Sequence, residues 1–354
     1  MPELRQDPAS KRWVIIARER SRRPHAFVRE GGMPGPGLAH LPTCPFCSGN
    51  EEHTPPESFA LRDGTTPNGP GWRVRVVPNK FAALLPAGST ERKTENEFFR
   101  WMDGVGTHEV IIESPVHNLY IPFMDDRHVQ EIVGTYRERY LTLREDTRFK
   151  LILIFKNHGV SAGTSLDHPH SQLVATPVVP TDIRATFQKA FDFFDDTGLC
   201  VYCRMLSEEL RLGKRVILES DSFAVFHPFA SRMPFETWIV PKKHGASFGL
   251  ITVAEADEFA LVLKQVLRKI YFGLKNPDFN LVVQTAPVKD EFEDYFHWHL
   301  QILPRLTTAA GFEMGTGIYI NVALPEETAQ FMRDLKEPEL ASPSLGPNVA
   351  EPPA

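Results

Sequence analysis

The chain carries one pattern of chemically active side chains twice. In the first half "CPFC" (Cys44, Cys47) is followed by a lone His117 after a proline-containing strand end, then by "HPHSQ" (His168, His170, Gln172). In the second half "CVYC" (Cys200, Cys203) is followed by His244, ending "VPKKH", then by "HWHLQ" (His297, His299, Gln301). His117 and His168 are 51 residues apart, and His244 and His297 are 53 apart. The first gaps differ, 70 residues from Cys47 to His117 against 41 from Cys203 to His244. The surplus lies around "LLPAGSTERKTENEFFRWMDG", read as a loop insertion. The fold must therefore be one that half the chain can build and the other half can repeat.

Local patterns repeat in the same order. "WRVRVVPN", "HEVIIESP", "KLILIFKN" and "SQLVATPVV" are short β-branched runs expected as strands. Between the second and third, Val129, Ile132, Val133 and Tyr136 stand at helical spacing. The second half offers "KRVILES", "SFAVFHP" and "ETWIVPK" as strands, a helix over roughly 253–273, then "FNLVVQTAP" and "HWHLQILPRL". This predicts an α+β fold, a duplicated unit of antiparallel sheet with helices packed against it. The halves are expected at 1–195 and 196–336, with the Pro-rich stretch 337–354 a disordered tail lacking any apolar period. "GGMPGPGLAHLPT" is read as a loop.

With a net charge of −6 and no long basic run, neither nucleic acid nor a membrane surface is the expected partner. The start lacks the apolar stretch of a signal peptide, and no run approaches the ~20 apolar residues of a membrane span. A cytoplasmic location is expected. In a reducing compartment the four cysteines are not expected as disulfides. Two C-x-x-C pairs fit zinc, because each offers two thiolates to one tetrahedral ion. A redox pair and buried metal-free thiols are the alternatives.

His168, His170 and Gln172 share one face if their stretch is extended, and Pro169 biases His168 that way. Neighbours on such a face sit roughly 7 Å apart. That suits one histidine serving as a ligand while the other reaches a substrate. A neutral imidazole binds zinc and is also a nucleophile toward phosphorus. A glutamine amide can steady a non-bridging phosphoryl oxygen. Gly159 and Gly163, in "NHGVSAGTSLDHPH", allow backbone N–H groups to approach an anion. A metallohydrolase using both histidines as ligands, and a purely structural pair, are the competing readings.

"AGTSLDHPHSQLVATP" with the upstream "TCPFCSGN" resembles the galactose-1-phosphate uridylyltransferase family of the histidine-triad superfamily, and the likeness runs over nearly the whole chain. The resemblance implies two histidine-triad-like units and a ping-pong nucleotidyl transfer. By motif match His170 is the nucleophile and Gln172 contacts the phosphoryl group. Asn157 and Ser165 match phosphate contacts, Arg20 and Arg23 an arginine pair near the phosphates, and Asn79 a nucleoside contact. The structural zinc corresponds to Cys44, Cys47, His117 and His168; the residues alone do not choose His117 over His108, His53 or His158. The main expectation is exchange of UMP between UDP-glucose and galactose 1-phosphate, the Leloir-pathway step of galactose metabolism. A homodimer is implied.

The chain departs from well-known bacterial members at a second metal site, where a glutamate position reads Thr186 and a further ligand position Gln284. Instead the repeat offers Cys200, Cys203, His244 and His297, a full Cys₂His₂ set that would make two zinc ions per chain. That pattern, and "GFEMGTGIYINVALPEETA", look like the ADP-glucose phosphorylase branch, so an adenylyltransferase with phosphate as acceptor is the alternative. Simple hydrolysis is disfavoured, because Gln172 stands where smaller relatives place a proton-donating histidine. A non-catalytic, zinc-stabilised nucleotide-binding protein is the remaining alternative. His299 is expected as a relic or a substrate contact, since Trp298 replaces proline and acidic "KDEFEDYF" precedes it.

Overall fold

A computed structural model describes residues 1–17, 24–28 and 37–336. Arg20, Arg23 and the proline-rich tail lie outside the described residues. The first half runs β1 (Glu3–Gln6), β2 (Trp13–Ile16), β3 (Phe59–Arg62), β4 (Trp72–Pro78), β5 (Lys93–Glu95), β6 (Phe99–Trp101), β7 (Thr107–Ile112), α1 (Asp126–Arg144), β8 (Leu151–His158) and β9 (His170–Thr176). Then follow α2 (Thr181–Thr197), α3 (Val201–Leu212), β10 (Val216–Glu219), β11 (Phe223–Phe226), β12 (Thr237–Pro241), α4 (Val253–Leu274), β13 (Phe279–Gln284), β14 (His299–Pro304), α5 (Gly311–Thr316), β15 (Tyr319–Asn321) and α6 (Pro325–Asp334).

Ten strands form one antiparallel sheet in the order β10-β11-β12-β14-β13-β8-β9-β7-β4-β3. Read inward from either edge, the chain order is the same: three strands, then the fifth, then the fourth. The two copies meet edge to edge where β8 pairs β13, with Asn157 opposite Asn280 and Phe155 opposite Val282. Joining the fourth strands removes two exposed edges that each half would otherwise present. The fold is thus α+β around one large antiparallel sheet.

One sheet face is covered by α1 and α4, which also pack on each other. Each helix starts at an identifiable cap. The Asp125 side chain accepts the His128 N–H at the head of α1, and Thr252 with Glu255 forms a reciprocal capping box at α4. Val129, Ile132, Val133, Tyr136 and Tyr140 of α1 and Phe259, Leu263, Val266, Leu267 and Ile270 of α4 are buried against Ile152, Ile154, Leu173, Leu281, Val283, Leu300 and Ile302. Side chains alternate along a strand, so this core leaves His170, Gln172, His299 and Gln301 on the opposite face.

Several features differ from the sequence expectation, among them the edge strand β3 and a small separate sheet, β1-β2-β15, for which no strands were expected. The insertion contains a hairpin, β5–β6, whose three-residue loop, Asn96 to Phe98, holds Asn96 and Glu97 at positive φ (50° and 60°). Lys93 stacks on Trp101 across it, 4.4 Å from the ring centroid. Helices α2 and α3 fill a stretch for which no element was expected, and α2 runs across residue 195. Both bury an apolar stripe at helical spacing, Ile183, Phe187 and Ala190 of α2 in one cluster with Tyr202 and Leu206 of α3. Glycines in the left-handed conformation close both helices, Gly198 (φ 69°) and Gly213 (φ 66°). Among the described residues no helix is long and apolar enough to cross a membrane.

Phe259 has no exposed surface and meets Phe223, Phe248 and Trp298 edge-on or tilted. Phe259→Ala is expected to cost about 3–5 kcal/mol in denaturant unfolding; a loss below about 1 kcal/mol would mean that α4 does not carry the core described.

Candidate active site and metal centre

The metal-type side chains of the first half converge. Cys44, Cys47, His117 and His168 are all buried, and their ligand atoms lie within 4.8 Å of one another. Cys47 Sγ stands 3.5 Å from His117 Nδ1 and 3.7 Å from His168 Nδ1; Cys44 Sγ is 3.7 Å from His168 Nδ1. The two Nδ1 atoms are 3.3 Å apart. A tetrahedral zinc with Zn–S of about 2.3 Å and Zn–N of about 2.0 Å has S···N edges of about 3.6 Å and an N···N edge of about 3.3 Å. The observed edges match. His168 Nε2 lies 2.7 Å from the Ser114 carbonyl, which can only accept, so His168 Nδ1 presents a lone pair to the cluster. Burial pushes the Cys44 thiol up to about 11 and the His168 imidazole down to about 4. These are a neutral thiol and a neutral imidazole in a buried pocket, the donor set that a cation converts into ligands. The residues fit a structural zinc.

His168 also orients the next histidine. His170 Nδ1 lies 2.8 Å from the His168 carbonyl. A carbonyl accepts only, so Nδ1 carries the proton and Nε2 keeps its lone pair. Burial is the main cause that lowers the His170 pKa, so the ring is neutral near pH 7. Nε2 makes no hydrogen bond to the described residues. Phe46, between the two zinc-type cysteines, stands edge-on to both His168 and His170 at 6.0 and 5.4 Å.

Behind His170, on the core face, lies a buried polar cluster that the sequence reading missed. Lys156 Nζ donates to Glu113 Oε2 (2.6 Å) and to the His170 carbonyl (3.2 Å). Ser171 Oγ donates to Glu113 Oε1, and Tyr136 OH is 2.6 Å from Ser171 Oγ. Burial alone would raise the Glu113 carboxyl, but the Lys156 ammonium and the Ser171 hydroxyl outweigh it and hold it below the usual range. A charged pair so enclosed survives only when both partners are satisfied, and here it grips the strand at the His170 peptide.

Beside His170, Gln172 Oε1 is 2.8 Å from His108 Nε2, which also lies 3.1 Å from Asn79 Nδ2. The structure therefore brings together Asn79, Gln172 and His170, with His108 as the joint between the two amides. His108 had been considered only as a zinc ligand; its pairing opposite Val174 across β7 and β9 places it here instead. A cavity of about 100 Å³ opens beside His170, lined among others by Asn157, Gly159, Thr164, Leu166 and His168. Gly159 (φ 84°) allows no side chain: a Cβ would fall 2.2 Å from the Asp278 carboxyl carbon. Ser165 lies in the same loop, exposed, but does not line this cavity.

The second-half counterpart is different. Cys200, Cys203 and His244 gather within metal-binding distance, with Cys203 Sγ 3.2 Å from His244 Nδ1. The expected fourth ligand, His297, does not join them. Its Nδ1 accepts the Gly245 N–H (3.0 Å) and its Nε2 donates to the Pro241 carbonyl (2.7 Å), so no lone pair is free. His299 keeps the carbonyl contact of His170, 3.1 Å from the His297 oxygen. However, Trp238 lies flat on its ring at 4.3 Å, and Gln301 Nε2 reaches its Nε2. Trp238 sits opposite Gln301 where Val110 sits opposite Gln172. Thr186 and Gln284, a hydroxyl and an amide, line the adjoining cavity of about 260 Å³.

Comparison with known proteins decides the family. The family described as galactose-1-phosphate uridyl transferase, N-terminal domain, matches residues 1–180. The chain belongs to the galactose-1-phosphate uridylyltransferase family. It is 38% identical over 340 residues to ADP-glucose phosphorylase of Arabidopsis thaliana, covering 94% of this chain and 93% of that protein. It is 28% identical over 342 residues to galactose-1-phosphate uridylyltransferase of Thermotoga maritima, covering 94% and 98%. A crystal structure of an Arabidopsis ADP-glucose phosphorylase with bound ADP-glucose superposes with a TM-score of 0.79 at 35% identity, covering 95% and 99%. As a member of this family the chain is a nucleotidyltransferase, and its buried Cys44–Cys47–His117–His168 cluster is a candidate metal site.

Cys44→Ser is expected to abolish metal binding at this site and to lower the melting temperature by roughly 5 °C or more, because a structural zinc contributes folding energy. Elemental analysis with a thermal melt checks it. Unchanged zinc content and melting would refute the site.

Proposed function

We propose that the protein transfers AMP from ADP-glucose to inorganic phosphate through a covalent adenylyl–His170 intermediate. The reading rests on one geometric observation: His170 Nδ1 is committed to the His168 carbonyl, which leaves a neutral, unpartnered Nε2 at the mouth of the glycine-loop cavity. His170 Nε2 attacks the α-phosphorus; the N–P bond forms and the bridging P–O bond breaks, releasing glucose 1-phosphate. A phosphate oxygen then attacks the same phosphorus, the P–N bond breaks, and ADP leaves. Dividing the displacement in two is the gain that covalent catalysis offers. Asn157 and the loop over 159–165 would face the phosphoryl oxygens, Gln172 would steady one of them, and Asn79 would contact the nucleoside. Zinc on Cys44, Cys47, His117 and His168 would fix the strand that carries the nucleophile.

The choice of donor reverses the sequence expectation. That expectation put UDP-glucose and galactose 1-phosphate first. Similarity favours the alternative, 38% identity to an ADP-glucose phosphorylase against 28% to a uridylyltransferase. The cysteine pair of the second half also supports it. A second zinc belongs to this proposal: Cys200, Cys203 and His244 would hold it, with His297 exchanging its Gly245 bond for the metal. Two zinc ions per chain would support that site and one would remove it. The homodimer is likewise kept as a proposal.

Incubation with ADP-glucose and UDP-glucose together, without acceptor, is expected to add one AMP to the intact mass, and none to His170→Ala. A UMP-sized adduct would restore the uridylyltransferase reading. Adduct retained in His170→Ala would overturn the assignment of the nucleophile.

A further inference from the structure

The second half has no open histidine of its own, yet two of its residues, Asp278 and Asn280, bond to the first half beside the cavity at His170, and a third, Arg305, holds Asn280. Ser161 N and Oγ both donate to Asp278 Oδ2, at 2.8 and 2.6 Å. Asn280 Nδ2 donates to the Ala162 carbonyl and to Asn157 Oδ1, each at 2.8 Å. Arg305 Nε donates to Asn280 Oδ1 at 2.6 Å. Asp278 directly precedes β13, Asn280 lies on β13, and Arg305 directly follows β14. Asn280 stands opposite Asn157 at the seam between the halves.

The directions of these bonds are forced. Amide oxygen and nitrogen have nearly the same shape, so only partners fix which way an asparagine points. The Arg305 guanidinium can only donate, so Asn280 turns its oxygen to it. The Ala162 carbonyl can only accept, so Asn280 turns its NH₂ there. The second hydrogen of that NH₂ then meets Asn157, which must offer oxygen. Asn157 lines the cavity beside His170, and with its oxygen engaged it has only its NH₂ left to offer. A donor is what an anionic phosphoryl group requires at that place.

We infer that Arg305 and Asn280 of the second half are positioning residues for nucleotidyl transfer, acting through Asn157 by holding its amide in the donor orientation. This rests on the reading of Asn157 as a phosphoryl contact. It assigns the duplicated half a function in catalysis: its strand β13 aims a group of the first half. Neither Asn280 nor Arg305 touches the reacting atoms. Asp278 holds the same loop by its backbone and hydroxyl, without bearing on the amide.

Asn280→Asp tests the inference with almost no change in shape. A carboxylate still accepts from Arg305 but cannot donate to Asn157, which then turns its NH₂ toward residue 280 and presents oxygen to the phosphate. The rate of adduct formation from the nucleotide-sugar is expected to fall roughly 10²-fold, the order found for losing one such donor. Zinc content is expected to stay unchanged. In the Asn157→Ala background the same substitution should cost nothing further, since there is no amide left to aim. Arg305→Gln, at an exposed position, is the second variant, expected to slow adduct formation by a smaller factor even if Asn280→Asp folds poorly. If Asn157→Ala slows the reaction while neither Asn280→Asp nor Arg305→Gln does, the positioning inference is overturned and the phosphoryl role of Asn157 stands. An added loss in the double variant shows an effect that bypasses Asn157, and also overturns it. If Asn157→Ala itself leaves the rate intact, the phosphoryl role of Asn157 fails, and the inference with it.

Discussion

The site depends on the peptide between two histidines. His168 has its side chain in the Cys44–Cys47–His117 cluster and its carbonyl on the His170 Nδ1 hydrogen. One residue thus ties a buried metal-type centre to the protonation pattern of His170, the proposed nucleophile. Because His168 lies in the bend that enters β9 and its carbonyl bonds to His170, neither residue can shift without disturbing the other. Lys156 and Glu113 hold the same strand from the core side, with Nζ on the His170 carbonyl. The imidazole needs no conformational search before it can attack, which is the entropic advantage of a preorganised group.

The duplicated sheet explains why only one copy has an open histidine. Both copies place H-x-H-x-Q on corresponding strands and both keep the carbonyl contact. They diverge at one neighbouring position: Val110 leaves space over Gln172 and His170, whereas Trp238 stacks on His299. The first half also has the glycine loop, where Gly159 (φ 84°) packs against Asp278 of the other half. The asymmetry therefore comes from side-chain volume and loop composition on a shared backbone plan.

Much of this was legible in the sequence because it follows spacing. Nine of the ten strands of the main sheet, all but the edge strand β3, the two long helices and the order of ligands are periodic or repeated signals. Two-residue alternation put His170 and Gln172 on one face of β9, whereas His168 lies in the bend before the strand, with its side chain in the cysteine cluster. What spacing could not show were partners fixed only by tertiary pairing. His297 has the right position in the repeat, yet the Gly245 N–H occupies its lone pair. His108 was visible only as one histidine among several, until the pairing of β7 with β9 set it against Gln172. Lys156 and Glu113 sit in β-branched runs that read as plain strands. Helices α2 and α3 do carry a helical period, Ile183, Phe187 and Ala190 in the one and Tyr202, Leu206 and Leu210 in the other, all packed in one cluster; that signal was present and the sequence reading missed it, and α3 opens on a cysteine, which is not a favoured cap.

The central claim is that the His168 carbonyl selects Nε2 of His170 as the attacking atom. Its most direct test is nitrogen–phosphorus correlation NMR on the isolated nucleotidyl-enzyme, carrying ¹⁵N-labelled histidine. The account predicts phosphorus bonded to Nε2 of His170, with Nδ1 still protonated. Phosphorus on Nδ1, or on any other residue, would contradict it.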